Sequence, residues 1–275
     1  PSKSRGLGDV YKRQVFGYGL IIVMGLLLSL FGGGGSILIV PILVYLFKLA
    51  PELATTYSLL IVGSTALSGA FVKIKSRLVD FKAVLTFIPF GILGIIFSRA
   101  YLLKTIPDEF SIFGLNASKQ MLIMGVFALV MLSSSIKMIK SGSSSKEAEM
   151  EKQLIKLILV SFCIGVIMGF VGAGGGFLIV PALHLFFSLD MKKAVASSLF
   201  VIALQSLIGG LAEVFISSVS VDWLWCLILL VVAFVGVFLG SKLSEKIDSD
   251  RLKKYFGYFV LAMAVFIFAK EFISL

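Results

Sequence analysis

The chain is predicted to be an all-α polytopic membrane protein made of two inverted repeats, each of five helical segments, with short helices broken by glycine. Three observations predict this. Hydrophobic residues make up 59% of the chain and charged ones only 15%, with a mean hydropathy of +1.06, where a soluble domain holds roughly 45–50% apolar residues. Apolar runs of about twenty residues, enough for a helix to cross the hydrocarbon core, recur along the whole length. Finally, Phe31 to Ala70 lies on Val171 to Gly210 at a constant offset of 140 without a gap, with fifteen of forty positions identical.

The first element is set aside. Residues 1–14, "PSKSRGLGDVYKRQ", are polar, lack an initial Met and have no signal-peptide h-region. They resemble a translated adaptor remnant, a non-native leader, so Lys3, Arg5, Lys12 and Arg13 do not vote on topology.

Residues 15–140 form the first transmembrane repeat, with apolar segments Val15 to Phe31, Ser36 to Phe47, Pro51 to Val72, Phe81 to Leu103 and Lys119 to Ile139. Residues 141–153 are a polar linker of low complexity. Residues 154–275 form the second repeat, with segments Leu154 to Val171, Phe177 to Phe187, Met191 to Ser217, Asp222 to Leu243 and Leu252 to Phe272.

An odd number of segments per repeat inverts the second half relative to the first, and the basic residues test this. With ten crossings one side carries Lys73, Lys75, Arg77 and Lys82, the cluster from Lys137 to Lys156, Lys192 and Lys193, and the group from Lys242 to Lys254. The other keeps Lys48, Arg99, Lys104, Lys119 and Lys270, a ratio of sixteen to five. That is a positive-inside bias, placing the termini outside and the linker in the cytoplasm, in a cytoplasmic membrane. A dip by the second segment alone scatters the charge and is rejected. A re-entrant hairpin of segments one and two predicts the same sidedness as full crossings.

Both short segments follow a glycine run. "GGGGSILIVPIL" lies on "GAGGGFLIVPAL", so Gly32, Gly33, Gly34, Gly35 and Ser36 correspond to Gly172, Ala173, Gly174, Gly175 and Gly176. Paired Gly-interrupted segments at corresponding places in two halves point to a transporter's substrate site. Irregular backbone at membrane depth survives only where protein or a water-lined cavity covers it. A helix restarting after such a break presents N–H groups and partial positive charge, an anion trap that needs little Lys or Arg. Close helix crossing by small residues is the competing account. A nucleotide loop is excluded, since no Lys and Ser/Thr pair follows either run.

Segments three and eight add neutral donors for an oxyanion: Thr55, Ser58, Thr65, Ser197, Ser198 and Gln205, with interhelical bonding as the plainer account of such residues. Ser36 against Gly176 makes the site lopsided. His184 alone titrates near neutrality and is a candidate for proton coupling, although such a histidine more often simply bonds within a bundle. Glu213 and Asp222 read as solvated. Cys163 and Cys226 lie in apolar runs and read as small buried side chains. One histidine and no Cys/His cluster argue against a metal, and no cofactor is implied. The formal charge of +10 reads as loop orientation, not as nucleic-acid binding.

The doubled motif resembles the Gly-rich signature of the sulfite exporter TauE/SafE family, also called the toluenesulfonate uptake permeases. Gly32, Gly34, Gly35 and Pro41, with Gly172, Gly174, Gly175 and Pro181, carry the likeness, and Ala173 in place of Gly33 is a small departure. The resemblance implies a carrier of small sulfur-containing anions such as sulfite, sulfoacetate or organosulfonates, coupled to a proton or sodium gradient. Its partners are then the anion, the coupling ion and the bilayer, and it is not an enzyme. A passive anion channel using the same dipoles, or a transporter of a non-sulfur carboxylate or other small solute, stays open. Oligomeric state and direction of transport are not legible.

Overall fold

The computed structural model describes residues 2–102, 105, 107, 109–112, 115–140, 150–171, 173–216 and 220–273. Ten α-helices run through them: α1 (Ser2–Phe31), α2 (Ser36–Pro41), α3 (Pro51–Lys75), α4 (Phe81–Phe97), α5 (Lys119–Lys140), α6 (Met150–Val171), α7 (Ile179–Leu185), α8 (Met191–Ile216), α9 (Trp223–Lys246) and α10 (Ser249–Ile273). They follow the ten expected segments in order, with α1 running back through residues 2–14 and α6 starting at Met150, inside the expected linker. Pro41 removes a backbone donor, and the helix beyond it widens into a π turn, Ile42–Leu46. A second π turn, Ser98–Leu102, extends α4, and a 3₁₀ turn, Ala173–Leu178, leads into α7. The sequence reading did not anticipate the antiparallel ribbon β1 (Glu109–Ile112) and β2 (Leu115–Ser118), which pairs Glu109 with Ser118 and Ile112 with Leu115.

The helices are apolar on the outside as well as the inside, as a lipid solvent requires. Along α9, Leu224, Leu227, Val231, Val235 and Phe238 are exposed, while Cys226, Leu229, Ala233, Gly236 and Gly240 are buried. Four stretches, Gln14–Phe31, Leu53–Lys75, Met191–Phe215 and Trp223–Lys246, are long and apolar enough to span a bilayer. The chain is a helical membrane protein.

The main helix pairs all join one half to the other: α1 with α9, α4 with α6, α3 with α8 and α5 with α10. Exchanging the halves maps this set onto itself. The match extends to single residues. Gly236 has no room for a β-carbon against the Ile22 carbonyl, and Gly94 none against Phe162, the residue 140 positions beyond Ile22. Asp80 caps α4 by accepting from Ala83 N (2.9 Å), and its own N–H donates to Ser197 Oγ (2.9 Å). Asp222 caps α9 by accepting from Trp225 N (3.0 Å), and its N–H donates to the hydroxyl of Tyr57 (2.7 Å), the repeat counterpart of Ser197. Lys48 and Ser188, also counterparts, both take left-handed φ, 59° and 54°, just after the short helices. Each lets the next N–H return to a helical carbonyl, Leu49 to Leu43 (3.1 Å) and Leu189 to Leu183 (3.2 Å).

Directions follow from the same contacts. Gly63 lies against Leu207, Gly69 against Leu199 and Gly210 against Leu59 and Leu60, so α3 and α8 are antiparallel. Tyr18 near the start of the apolar part of α1 and Trp225 at the start of α9 both meet the Phe47 ring, at 5.3 and 5.4 Å, so α1 and α9 are parallel. At the opposite end the basic residues gather: buried Lys73 of α3 donates to Ser244 of α9, Lys192 Nζ reaches the Glu245 carbonyl (3.5 Å), and Ser249 of α10 donates to Asp190 (2.7 Å).

Candidate functional site

The first glycine turn is built by α1 ending early. Gly32 N–H closes the helix on the Leu28 carbonyl (2.8 Å), and Gly32 takes φ +71°, a value that glycine adopts without a β-carbon penalty. Ser36 then folds the turn up, donating its hydroxyl to the Gly33 carbonyl (2.6 Å) and its N–H to the same oxygen (3.1 Å). Leu38 N–H donates to Gly35 (3.1 Å). Two of the N–H groups expected to face a gap are therefore used within the turn. Across the bundle the chain tightens into a 3₁₀ turn rather than opening, so neither break is a loose loop.

The two turns touch. A β-carbon on Gly33 would overlap the Gly176 carbonyl oxygen and lie 2.7 Å from Phe177 N, and one on Gly176 would stand 3.4 Å from Ser36 Oγ. Gly32 has no room for a β-carbon against Ser198 Oγ, and Gly35 none against the Met24 carbonyl. Close approach thus accounts for Gly32, Gly33 and Gly35. Gly34 differs, since its β-carbon would meet chiefly the Phe259 ring at 2.9 Å. Ser198 is seven residues from the start of α8 at Met191, so the contact lies about 10 Å inside that end of the helix.

The remaining candidates divide. Ser198 Oγ donates to the Val195 carbonyl (2.8 Å) and keeps its lone pairs beside Gly32. Ser58, its counterpart, is fully buried with no partner for its hydroxyl. Gln205 carries two buried amide atoms, Oε1 and Nε2, both without partners. Nε2 faces α4, where a β-carbon on Gly91 would be 3.1 Å away. Three candidates have other tasks. Thr65 donates into its own helix, to Ile61 O (2.5 Å) and Val62 O (3.1 Å); Ser197 holds Asp80; and half-buried Thr55 is already engaged. Ala173, Gly174 and Gly175 lie in the 3₁₀ turn. Gly172 lies outside the described residues. Sequence reasoning missed Ser29, buried one turn ahead of Gly32 with an unpartnered hydroxyl; a lone serine in an apolar run, just before the glycines, was the available signal.

His184 Nδ1 lies 2.8 Å from the Leu189 carbonyl, so Nδ1–H ties the end of α7 to the following loop and Nε2 is the unprotonated nitrogen of the neutral ring. Glu213 and Asp222 are tied to the protein: Thr56 Oγ1 donates to Glu213 (2.7 Å), and Asp222 is the α9 cap. The candidate site is therefore a set of buried neutral polar groups: the unpartnered Ser29, Ser58 and Gln205, which can donate, and Ser36 and Ser198 at the abutting turns, whose hydroxyl protons are already given to the Gly33 and Val195 carbonyls. It is suited to holding a small solute in a low dielectric through hydroxyl and amide contacts.

A helical membrane bundle with paired broken helices and unpaired polar groups buried within it has the build of a membrane transporter. The comparisons agree. The family described as Sulfite exporter TauE/SafE matches residues 18–267, and the chain belongs to that family. "Probable membrane transporter protein YunE" of Bacillus subtilis (strain 168) is 30% identical over 249 residues, covering 85% of this chain and 90% of that protein. A "Probable membrane transporter protein" of Xylella fastidiosa (strain 9a5c) is 28% identical over 260 residues, 92% and 94% of the two chains. "Probable membrane transporter protein MJ0441" of Methanocaldococcus jannaschii is 28% identical over 259 residues, 89% and 91% of the two. No solved structure matches.

Proposed function

We propose that this protein is a secondary transporter that carries a small sulfur-containing anion of the sulfite, sulfoacetate or organosulfonate class across the cytoplasmic membrane by alternating access. The observation that carries the reading is the contact of the Gly33 turn with the Gly176 turn, in a bundle that also buries the unpartnered polar atoms of Ser58 and Gln205. Buried polar groups without partners cost free energy, and a bound oxyanion supplies the missing acceptor for hydroxyl and amide donors. The family description supports a sulfur oxyanion over other solutes.

In this reading residues 15–140 and 154–275 are halves inverted about an axis in the membrane plane. The antiparallel packing of α3 on its own counterpart α8 supports that axis, because a twofold axis along the helices would make the pair parallel. Because the main helix pairs all join one half to the other, the moving bodies are helix pairs drawn from both halves, shifting around the two turns and driven by a proton or sodium gradient. The basic end faces the cytoplasm with residues 141–153, and the termini lie outside.

The test is flux of labelled sulfite and an aryl sulfonate into proteoliposomes. Gly34→Val and Gly175→Val are expected to insert normally and to abolish uptake. Unchanged flux in both variants overturns the proposal.

A further inference from the structure

A groove of about 280 Å³ runs along the outside of the second half, between α6, α7 and α5. Apart from two serines of α5 and the thiol of Cys163, its lining is hydrocarbon, including Leu159 and Ile167 of α6 and Ala182 and Phe186 at α7. It opens sideways, since Leu159 is 58% exposed and Cys163 is exposed. From Leu159 to Ile167 it follows α6 for about 12 Å.

Two features set this groove apart from ordinary lipid-facing surface. One is a break in the internal repeat: Ala182 stands where the first half has Ile42, whose larger side chain is buried. Ala182 is itself buried and, with Leu178, forms the floor of the groove, which opens on the bilayer side at Leu159 and Cys163. The other is a cation at one mouth. Lys156, one turn before Val160, is exposed and holds its Nζ 6.0 Å from the centroid of the Phe186 ring. Phe186 lies four residues before Asp190, which accepts from Ser249 at the basic end of the bundle, so on the sidedness of the proposed function the charge sits at headgroup level with the hydrocarbon lining below it.

We infer that the groove is a binding site for one anionic glycerophospholipid, with an acyl chain lying between α6 and α7 and the headgroup phosphate on Lys156. An ammonium beside an apolar slot at the polar edge of the bilayer matches that ligand at both of its ends, and basic pockets between helices on the cytoplasmic side hold such headgroups. The chain's far end reaches Leu178, the last residue of the second glycine turn. A seated lipid therefore braces the outer side of the short helix α7.

Cys163 reports occupancy directly, because Cys226 is buried. The experiment measures the rate of Cys163 alkylation by N-ethylmaleimide in detergent, with added phosphatidylglycerol or phosphatidylcholine, and counts lipid adducts by native mass spectrometry. Phosphatidylglycerol is expected to slow alkylation at least fivefold more than phosphatidylcholine and to leave one retained adduct. Lys156→Gln is expected to erase the difference between the two lipids. Ala182→Ile, which restores the filling of the first half, is expected to slow alkylation without lipid and to lose the adduct. Equal slowing by both lipids in the unmodified protein overturns the inference. So does a phosphatidylglycerol preference that survives Lys156→Gln, or equal protection by an aryl sulfonate without lipid, which assigns the groove to a solute.

Discussion

Replacing Gln205 by Leu separates a transport site from a packing site. As the protein stands, the amide's oxygen and nitrogen are both buried without a hydrogen-bond partner, with Nε2 facing α4 at Gly91. Protein mutational data place an unsatisfied buried amide at about 1–3 kcal/mol, and leucine is close to glutamine in size with no polar atom to desolvate. Gln205→Leu should therefore stabilise the resting protein by about 1–3 kcal/mol, raising Tm by about 2–4 °C for each kcal/mol. The anion loses a donor. A hydrogen bond to a charged group contributes about 1.5–3 kcal/mol, so substrate affinity should fall by about 10- to 150-fold at 1.4 kcal/mol per tenfold. The assay pairs thermal unfolding in detergent, with and without sulfite, with sulfite uptake in proteoliposomes. A more stable variant that no longer gains stability from sulfite is the expected result. A variant with ordinary uptake, or one that unfolds at a lower temperature than the parent, refutes the reasoning, because the amide would then have a structural task.

Further predictions concern the turns and caps. Gly33→Ala should greatly reduce the yield of monodisperse protein on size-exclusion chromatography, since its methyl group overlaps the Gly176 carbonyl, whereas Gly34→Ala should keep the parent's yield because only the Phe259 ring has to move. Tyr57→Phe leaves the Asp222 N–H without its acceptor, and Ser197→Ala does the same to Asp80; each should cost about 1–3 kcal/mol in denaturant or thermal unfolding. Asp80→Ala and Asp222→Ala remove the helix caps at matching positions and should each lower stability by about 0.5–2 kcal/mol, read as a fall in Tm.

The order and kind of the elements were legible because they rest on strong one-dimensional signals: apolar runs, glycine clusters and a doubled motif. The partnering was not. A helix that is apolar all round, such as α9, carries little periodicity to say which side faces protein, and only the packed structure sorts Leu224 from Leu229. The same limit hid the space beside Ala182, since a smaller apolar residue in an apolar run changes no pattern. Within the site, the correspondence of the two glycine turns followed from the repeat, but the contact of Gly33 with Gly176 and the fate of each hydroxyl did not. Thr65 and Ser198 read alike in sequence, and each hydroxyl bonds back into its own helix, but only that of Ser198 is pressed against the other half, at Gly32. Ribbon β1–β2 escaped because it is short and sits between stronger helical signals.

The partnering between halves also has a consequence in time. Helix α1 leaves the ribosome first, yet its principal neighbour α9 begins only at Trp223. At about 5–20 residues per second, the Ile22 and Gly25 side of α1 waits roughly 10–40 s for that neighbour. The same holds for α3, α4 and α5, none of which has its main partner among the helices made before the linker. Early in synthesis the membrane therefore holds a row of inserted but unpartnered helices, and the second half completes the first as each of its own helices arrives. A ribosome stalled after residue 140 would leave nothing that a later, separately made copy of the same segment could repair, while a separately made second half carries every surface that is missing.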